Sequence, residues 1–528
     1  MELKLENGAY CATRSGLASV TGPEELAQRI VMKLTARRGG FAPLPDYGSR
    51  LYLLHAVKPS QRVTAARQYI AEALLDEHGA SLTYRQLKRE ADALCAAAGG
   101  RCLTFNLCRN TLGSLLGYAG FVEGGVVPVL LNEEMDRELL KGLYETYHPA
   151  FLWAPEDFTW DGCEPVYQSL GYHLLKTPFG REAELYPELG LLLTTSGSTG
   201  SPKFVRQSYR NIRANTDSIV EYLKLDETER PITTLPMNYT YGVSILNTHL
   251  DVGATILVTE HGIAQREFWD FFRRENATSF GGVPYTYEML DRMRFFRMDL
   301  PSLRTMTQAG GKLQKELHRK FVEWCLEKGK QFIVMYGQCE ATARMAYLPW
   351  EKSLEKVGGI GIAIPGGQFR LIAADGSEIT ETGVTGELKY YGDNVTLGYA
   401  VCQADLRKGD ERGGVLETGD MAQVDADGYY TIVGRKKRFL KLYGNRVNLD
   451  ELEQLLKAAF PGVDVACGGV DDHLMFFSTD ESRLAEMRAF LSEKTKQNAA
   501  AFRGMALPSI PKNDAGKTLY RELEKYDG

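Results

Sequence analysis

Apolar side chains along the chain follow two kinds of spacing, and the two kinds alternate. Residues 82–98 begin with a short extended stretch and continue with apolar positions at helical spacing. Further along, short apolar runs typical of strands occur at residues 125–131, 255–258 and 332–335. Segments with helical periodicity lie among them, and the clearest are residues 268–275 and 314–328. This alternation predicts an α/β fold in which the sheets are mostly parallel.

The first 78 residues do not share this pattern. They contain a basic amphipathic segment at 24–38, a turn region rich in Gly and Pro, and a second helical segment at 60–77. We therefore expect residues 1–78 to form an extra N-terminal module, whose role the sequence leaves open. Residues 79–434 carry the alternating pattern and are expected to form one large domain built of several subdomains.

A charged stretch, GRKKR, separates the large domain from a smaller C-terminal piece. Within this piece the pattern indicates two helices with an extended segment between them, at residues 449–460, 463–470 and 482–497. Residues 438–528 are therefore expected to form a small α+β domain, joined to the large domain through residues 435–437.

Composition and charge exclude several classes of protein. Of the 528 residues, 44% are hydrophobic and 25% are charged, which is typical of a globular protein. The 62 basic and 68 acidic side chains nearly balance, so the sequence offers no electrostatic basis for nucleic-acid binding. No apolar run reaches the ~20 residues of a membrane span, and neither a signal peptide nor a zinc-binding spacing is recognisable. The nine scattered cysteines lack a C-x-x-C pair, which predicts reduced thiols and a cytoplasmic location.

The most informative segment is the run LGLLLTTSGSTGSPK at residues 189–203. An apolar strand leads into small and hydroxyl-bearing residues, and Lys203 ends the run. Glycines let the backbone approach an anion, while backbone N–H groups and hydroxyls can donate to phosphate oxygens. A flexible Ser/Gly hairpin loop is the alternative, but the preceding strand and the Pro-Lys ending favour a phosphate-binding loop outside the Walker pattern. The residues of this loop are Thr195, Ser196, Gly197, Ser198, Thr199 and Gly200.

Further short motifs follow this loop along the chain. They are Ala309-Gly310-Gly311, Tyr336-Gly337-Gln338-Cys339-Glu340, Gly386-Glu387-Leu388, Gly398-Tyr399, Glu417-Thr418-Gly419-Asp420, Gly434-Arg435 and PKNDAGK at 511–517. In kind and in order they match the motifs of the adenylate-forming superfamily. The chain from about residue 80 to 528 therefore resembles the acyl-CoA synthetases, luciferases and peptide-synthetase adenylation domains of that superfamily. Residues 1–78 show a shorter resemblance to a phage-tail baseplate component, through LTARRGGFAPLPDYGSRLYLL.

The resemblance implies a reaction in which a carboxylate and ATP form acyl-AMP and release pyrophosphate. Because the carboxylate and the α-phosphate are both anions, the site must supply positive charge and alignment. By resemblance, Lys517 bridges the carboxylate and the α-phosphate, and Lys203 contacts the phosphates. Glu340 holds Mg²⁺, Asp420 accepts hydrogen bonds from the ribose hydroxyls, and Arg435 reaches the ribose or the phosphates. The other nucleotide-binding positions that the resemblance implies are Ala309, Gly310, Gly311, Tyr336, Gly337 and Gln338.

The resemblance also implies a second step, in which the thiol of CoA takes up the acyl group after the C-terminal domain has rotated. That domain is therefore expected to be mobile and to carry Lys517 to the site in the first state. The matching hinge position is Lys437, and Gly444 and Arg446 are expected near the thiol in the second state. The implied substrates and cofactors are ATP, Mg²⁺ and CoA, or the phosphopantetheine of a carrier protein in place of CoA.

The acyl pocket differs from that of many relatives. Asn238 and Tyr239 stand where those relatives have an aromatic residue and a histidine, so the resemblance does not supply the substrate. No aspartate suited to an α-amino group is found, which disfavours an amino acid. Cys339 stands where the family usually has a threonine. Either Thr342 or the backbone would have to supply the hydrogen bond of the missing hydroxyl. Candidate pocket positions, for which packing in the core is the alternative, are Tyr239, Gly242, Val283 and Pro284.

Three hypotheses for the function follow from these residues. The leading one is an AMP-forming acid–thiol ligase that activates a small carboxylic acid and forms a thioester on CoA. An enzyme that loads the acyl group onto an acyl carrier protein is the alternative, and the sequence does not separate the two. A non-catalytic nucleotide-binding module of the same fold is a further alternative, disfavoured by the intact charged positions of the motifs.

Overall fold

The computed structural model describes residues 72–194, 203–442, 445–470, 473–495, 497–512 and 518–526. Before residue 72 it also describes six two-residue strands, paired as Glu2–Leu3 with Ser19–Val20, Leu5–Glu6 with Ala9–Tyr10, and Ala12–Thr13 with Gly16–Leu17. The helical segment expected at 24–38 and residues 60–71 of the second one lie outside the described residues. The end of the second segment is predicted wrongly, because Glu72–Asp76 forms a strand that pairs with Ile256–Val258 and Ser81–Thr83.

The first sheet has eight strands with apolar cores on both of its faces. In spatial order the strands are Glu164–Ser169, Tyr172–Lys176, Phe151–Pro155, Leu103–Cys108, Val127–Asn132, Leu189–Thr194, Phe204–Ser208 and Gly398–Ala400. The four central strands are parallel and the outer ones antiparallel. Val127, Val129 and Leu131 face one core and Leu130 the other, as expected of a strand buried on both faces. The accompanying helices are Tyr84–Ala98, Leu112–Glu123, Arg137–Tyr147 and Tyr209–Leu223.

The second sheet has five strands, and its first three are parallel. The strands are Ser279–Gly282, Thr305–Gln308, Gln331–Tyr336, Ala346–Tyr347 and Ile362–Ala363. A three-stranded sheet lies beside it, with strands Ile256–Val258, Glu72–Asp76 and Ser81–Thr83. The helices of this part are Thr240–Asp251, Arg266–Arg274, Pro284–Arg292 and Lys315–Glu327, with 3-10 turns at Phe295–Arg297, Cys339–Ala341 and Trp350–Lys352. An aromatic-rich core, which includes Phe268, Trp269 and Phe321, joins the helices to the sheet.

The third sheet is antiparallel throughout. Its strands are Glu378–Ile379, Gln368–Ile372, Gly386–Tyr391, Val415–Val424 and Tyr430–Arg435, and the 3-10 turn Gln403–Arg407 precedes the fourth. Buried and partly exposed residues alternate along Gly386–Tyr391, which indicates that one face packs against a core.

The described C-terminal part combines three helices, a hairpin and a three-stranded sheet. After the 3-10 turn Lys436–Arg438, a hairpin of Phe439–Leu442 and Asn445–Asn448 leads into the helix Leu449–Ala459. The sheet strands are Val465–Val470, His473–Ser478 and Phe502–Ala506. The remaining elements are the helices Leu484–Thr495 and Tyr520–Glu524 and the 3-10 turns Glu481–Arg483 and Ala499–Ala501.

The predicted α/β class is confirmed, and the pairing of the strands adds detail to it. Parallel strands form the centre of the first sheet and one side of the second, whereas the third sheet is antiparallel. None of the helices in the described part of the chain has both the length and the apolar character that a membrane-spanning helix needs.

Candidate active site

A tight turn follows the strand Gln331–Tyr336 of the second sheet. A Cβ on Gly337 would lie 1.5 Å from the carbonyl oxygen of Ala343, so only glycine fits there. Thr342 and Ala343 have positive φ angles of 55° and 109°, which are strained for residues with a side chain. Asn394 supports this conformation, because its side-chain amide donates to the carbonyls of Ala341 and Arg344, each at 2.8 Å. The turn therefore directs the residues that follow Tyr336 towards the third sheet.

Asp420 lies where that turn meets the third sheet. Its side chain is about 5% exposed and accepts hydrogen bonds from the Tyr336 hydroxyl at 2.5 Å and the Gln338 amide at 3.0 Å. The Arg435 Nε atom lies 3.5 Å from its other oxygen. Burial raises the pKa of the Asp420 carboxyl, while Arg435 and the hydrogen bonds from Tyr336 and Gln338 act in the opposite direction. Three residues of two predicted motifs thus surround the carboxylate that a third motif provides.

Glu340 lies on the other side of the turn. The Tyr399 hydroxyl donates to its carboxylate at 2.6 Å, and Arg412 donates to its backbone carbonyl at 3.2 Å. Burial raises the pKa of Tyr399 and the Glu340 carboxylate raises it further, so the phenol stays protonated and acts as the donor. The Lys203 ammonium lies 3.7 Å from the centre of the Tyr399 ring, in a cation–π contact. Lys203, Tyr399 and Glu340 therefore form one row.

An open cleft of about 500 Å³ lies along these residues. Its walls carry both signs of charge and several hydrogen-bonding groups, from Gln338, Glu340, Tyr399, Glu411, Arg412, Glu417 and Thr418. Within the described part of the chain, no group of three or more His, Cys, Asp or Glu side chains could hold a metal ion. A cation bound at Glu340 would therefore need oxygen ligands from a second molecule, such as a phosphate.

The phosphate-binding loop predicted at Thr195–Gly200 lies outside the described residues, and so do Gly444 and Lys517. The strands that flank the loop pair antiparallel, with Thr194 opposite Phe204, so its two ends lie side by side. Lys437 lies in the 3-10 turn Lys436–Arg438, and Arg446 lies in the strand Asn445–Asn448.

Three of the four predicted pocket residues border the glycine pair after the strand Thr305–Gln308. A Cβ on Gly310 would lie 2.8 Å from the Tyr239 hydroxyl and 3.1 Å from Val283, and a Cβ on Gly311 would lie 3.1 Å from Pro284. The preceding Ala309 is buried. Gly242 does not border this glycine pair. It lies in the helix Thr240–Asp251, where a Cβ would lie 2.3 Å from the Pro236 carbonyl oxygen.

Sequence reasoning missed two arginines near these groups and did not resolve the role of Thr342. Arg412 lines the cleft, and Arg344 is buried beside the pocket residues. The signal for Arg344 was a single charge in the apolar run ATARMAY, four residues after Glu340. The Thr342 hydroxyl donates to the Asn394 carbonyl at 2.7 Å, so this donor is occupied by a hydrogen bond that stabilises the turn.

Comparison with known proteins gives matches to part of the chain. Residues 182–400 match the family described as AMP-binding enzyme. An indoleacetate–CoA ligase of Aromatoleum aromaticum is 30% identical over 298 residues, covering 55% of this chain and 56% of the relative. A probable 4-coumarate–CoA ligase 2 of Dictyostelium discoideum is 29% identical over 364 residues, covering 65% of this chain and 64% of the relative. The aligned part is thus less than two thirds of either relative.

A solved structure gives a longer match. The O-succinylbenzoate coenzyme A synthetase of Bacillus subtilis, in complex with AMP, superposes with a TM-score of 0.69 at 22% identity. The superposition covers 86% of this chain and 95% of that protein. At this level of identity the likeness shows the fold, which has a large N-terminal and a small C-terminal domain.

Proposed function

We propose that this chain, which carries an AMP-binding enzyme domain and has CoA ligases among its homologues, is an AMP-forming acid–thiol ligase. It activates a small carboxylic acid with ATP, releases pyrophosphate, and transfers the acyl group from acyl-AMP to the thiol of CoA. The observation that carries the proposal is the cleft at which Gln338 and Glu340 of one motif lie together with Thr418 of another. The relatives are named as CoA ligases for acids as different as indoleacetate and oxalate, which favours CoA as the acceptor.

The first step needs the nucleotide held by its sugar and its phosphates. Asp420 is suited to the ribose, because a carboxylate fixed by Tyr336 and Gln338 can accept hydrogen bonds from both hydroxyls without reorganising. Arg435 adds positive charge beside it. Lys203 and the loop before it are proposed to contact the phosphates, and Mg²⁺ at Glu340 would neutralise part of their charge. The adenine would lie along Ala309, Gly310 and Gly311.

The second step is proposed to follow a rotation of residues 438–528 relative to residues 79–434. The contacts on either side of Lys437 support a hinge there. Lys436 donates to Glu387 of the third sheet at 2.7 Å, whereas Arg438 binds Asp450 of the C-terminal helix at 2.5 Å. The chain is therefore anchored to both parts within three residues. Lys517 would serve the first state, and Gly444 and Arg446 would lie near the thiol in the second.

The acceptor and the location in the cell are further parts of the proposal. CoA is the proposed acceptor, with the phosphopantetheine of an acyl carrier protein as the alternative. The cytoplasm is the proposed location, supported by the cysteine pattern of the sequence. Residues 1–71 are proposed to be a separate module outside the ligase, because Glu72–Asp76 already pairs with Ile256–Val258 in a sheet of the large domain.

A screen for pyrophosphate release tests the activity. Short, medium, long, aromatic, hydroxy and amino acids are each supplied with ATP and Mg²⁺, with CoA and without it. We expect release with a subset of the acids and a CoA thioester among the products. Turnover with a phosphopantetheinyl carrier but not with CoA would select the carrier-loading alternative. ATP binding without pyrophosphate release from any acid would instead support the non-catalytic alternative.

We expect Glu340→Gln to increase the Mg²⁺ requirement of acyl-AMP formation, with a loss of about 10- to 100-fold at limiting Mg²⁺. The reason is that a neutral amide binds a hard cation more weakly than a carboxylate does. The measurement is pyrophosphate release as a function of Mg²⁺ concentration. Tyr399→Phe is the matched control, because it keeps the carboxylate and the ring under Lys203 and removes only one hydrogen bond. An unchanged Mg²⁺ dependence in Glu340→Gln would contradict the assignment.

A further inference from the structure

Arg344 follows the tight turn of the candidate active site and is about 3% exposed. Its carbonyl accepts hydrogen bonds from two side-chain amides, Asn215 at 3.0 Å and Asn394 at 2.8 Å. These contacts come from two different parts of the chain and fix the backbone at this position. The direction in which the arginine side chain leaves the backbone is therefore well defined.

The guanidinium lies among tyrosines. Its central carbon is 3.8 Å from the centre of the Tyr241 ring, in a cation–π contact. Burial raises the pKa values of Tyr222, Tyr239 and Tyr241, and the positive charge of Arg344 lowers each of them in part. All three phenols therefore lie within the field of this one cation.

No carboxylate among the described residues balances this charge. Within the part of the chain that the structure describes, Arg344 forms no ion pair, and its Nε atom has no hydrogen-bond partner. A buried cation ordinarily pairs with a carboxylate, because removing it from water is costly. The contact with the Tyr241 ring and the hydrogen bond with the Tyr222 phenol recover only part of that cost, because neither group carries a negative charge. Arg206 illustrates the usual arrangement, since its buried guanidinium binds Glu411 and several carbonyl oxygens.

The unbalanced charge adjoins the predicted acyl pocket. Tyr241 packs in one apolar cluster with Tyr239, Val283 and Ala309. The ring centres of Tyr239 and Tyr241 are 6.5 Å apart, and Tyr239 borders Gly310. Tyr239 lies within the field of the guanidinium, so a molecule held against Tyr239 and Val283 would also feel this charge.

We infer that Arg344 is the counter-ion for a second carboxylate on the acid substrate, so that the enzyme prefers dicarboxylic acids. This inference rests on the proposed function. One carboxylate of the substrate would attack the α-phosphate of ATP, while the other would accept hydrogen bonds from the planar guanidinium. A monocarboxylic acid of the same length would leave the buried cation unpaired and would bind less well.

Matched pairs of acids test the inference on the unmodified enzyme. Succinate, glutarate, adipate and phthalate are compared with butyrate, pentanoate, hexanoate and benzoate in the pyrophosphate-release assay. We expect kcat/KM for the best dicarboxylic acid to exceed that of its matched monocarboxylic acid by about 10- to 100-fold. Equal or better turnover of the monocarboxylic acids would overturn the inference and leave the proposed ligase activity standing. If none of the acids supports pyrophosphate release, both the proposed activity and the inference are rejected.

Variants at Arg344 separate substrate recognition from a structural role. Arg344→Met keeps the length of the side chain and removes its charge, so the preference for dicarboxylic acids should fall about 10- to 100-fold. Arg344→Lys keeps the positive charge but loses the planar, paired N–H donors of the guanidinium, so it should give an intermediate preference for dicarboxylic acids. Arg213→Met, at an exposed arginine paired with Asp217 and Asp251, should leave the preference unchanged. An unchanged preference in folded Arg344→Met would overturn the inference, and if that variant does not fold, the comparison of matched acids decides.

Discussion

Replacing Asp420 with alanine is expected to lower the rate of acyl-AMP formation by at least about 100-fold and to raise KM for ATP. The carboxylate is held by Tyr336, Gln338 and Arg435, so it would meet the ribose already oriented. Alanine removes both acceptor oxygens and leaves the donors of Tyr336 and Gln338 without the partner they now have. The measurement is ATP-dependent pyrophosphate release, followed as a function of ATP concentration.

Two further variants show which property of Asp420 matters. Asp420→Asn keeps one acceptor oxygen and the side-chain volume but loses the charge, so its activity should lie between those of the wild type and the alanine variant. Tyr336→Phe keeps Asp420 and removes only the 2.5 Å hydrogen bond, so a smaller loss, about tenfold or less, is expected. Full ATP affinity in Asp420→Ala would contradict the ribose assignment.

The stability of these variants should not follow their activity. Folding raises the pKa of the Asp420 carboxyl, so the ionised form costs stability above that pKa, and the cost disappears as the group becomes protonated at lower pH. Asp420→Asn should therefore have a Tm equal to or above that of the wild type at neutral pH. A variant that is inactive but no less stable would indicate that the charge is kept for function.

The residues around Asp420 illustrate how far the sequence could predict the site. Tyr336 and Asp420 are 84 residues apart, and no local pattern indicates that they touch. Their order within a set of motifs did suggest a common site, and the structure places the Tyr336 hydroxyl and the Gln338 amide on the Asp420 carboxylate. The functional roles of these residues stay predictions, because a contact between side chains does not identify the ligand they bind.

The antiparallel sheet and Arg344 could not be predicted, for different reasons. An apolar run such as that of Gln331–Tyr336 indicates a buried strand, but the direction of its neighbours depends on contacts between distant parts of the chain. The strand Glu378–Ile379 of the third sheet is only two residues long and therefore shows no periodicity of its own. The sequence shows Arg344 as one charge in an apolar run, while its burial on Tyr241 depends on a turn fixed by Gly337 and Asn394.

The alternation of the two domains gives the second prediction with a large effect. Replacing Lys517 with alanine is expected to lower acyl-AMP formation about 1,000-fold, because no other charge would bridge the attacking carboxylate and the α-phosphate as the new bond forms. Thioester formation from supplied acyl-AMP should be nearly unchanged, since Lys517 is proposed to serve only the first state. The two half-reactions are measured separately, as pyrophosphate release without CoA and as thioester formation from a synthetic acyl-AMP.

Lys512 provides the matched control, because it lies five residues earlier in the same motif and forms a surface ion pair with Asp464 at 2.8 Å. Exposed pairs of this kind contribute little stability, so Lys512→Ala should keep both half-reactions within about threefold of the wild type. An equal loss of both half-reactions in Lys517→Ala would mean that this lysine acts in both states or supports the domain itself. A selective loss of the first half-reaction would show that Lys517 serves only that step, as the proposed rotation about residues 435–437 requires.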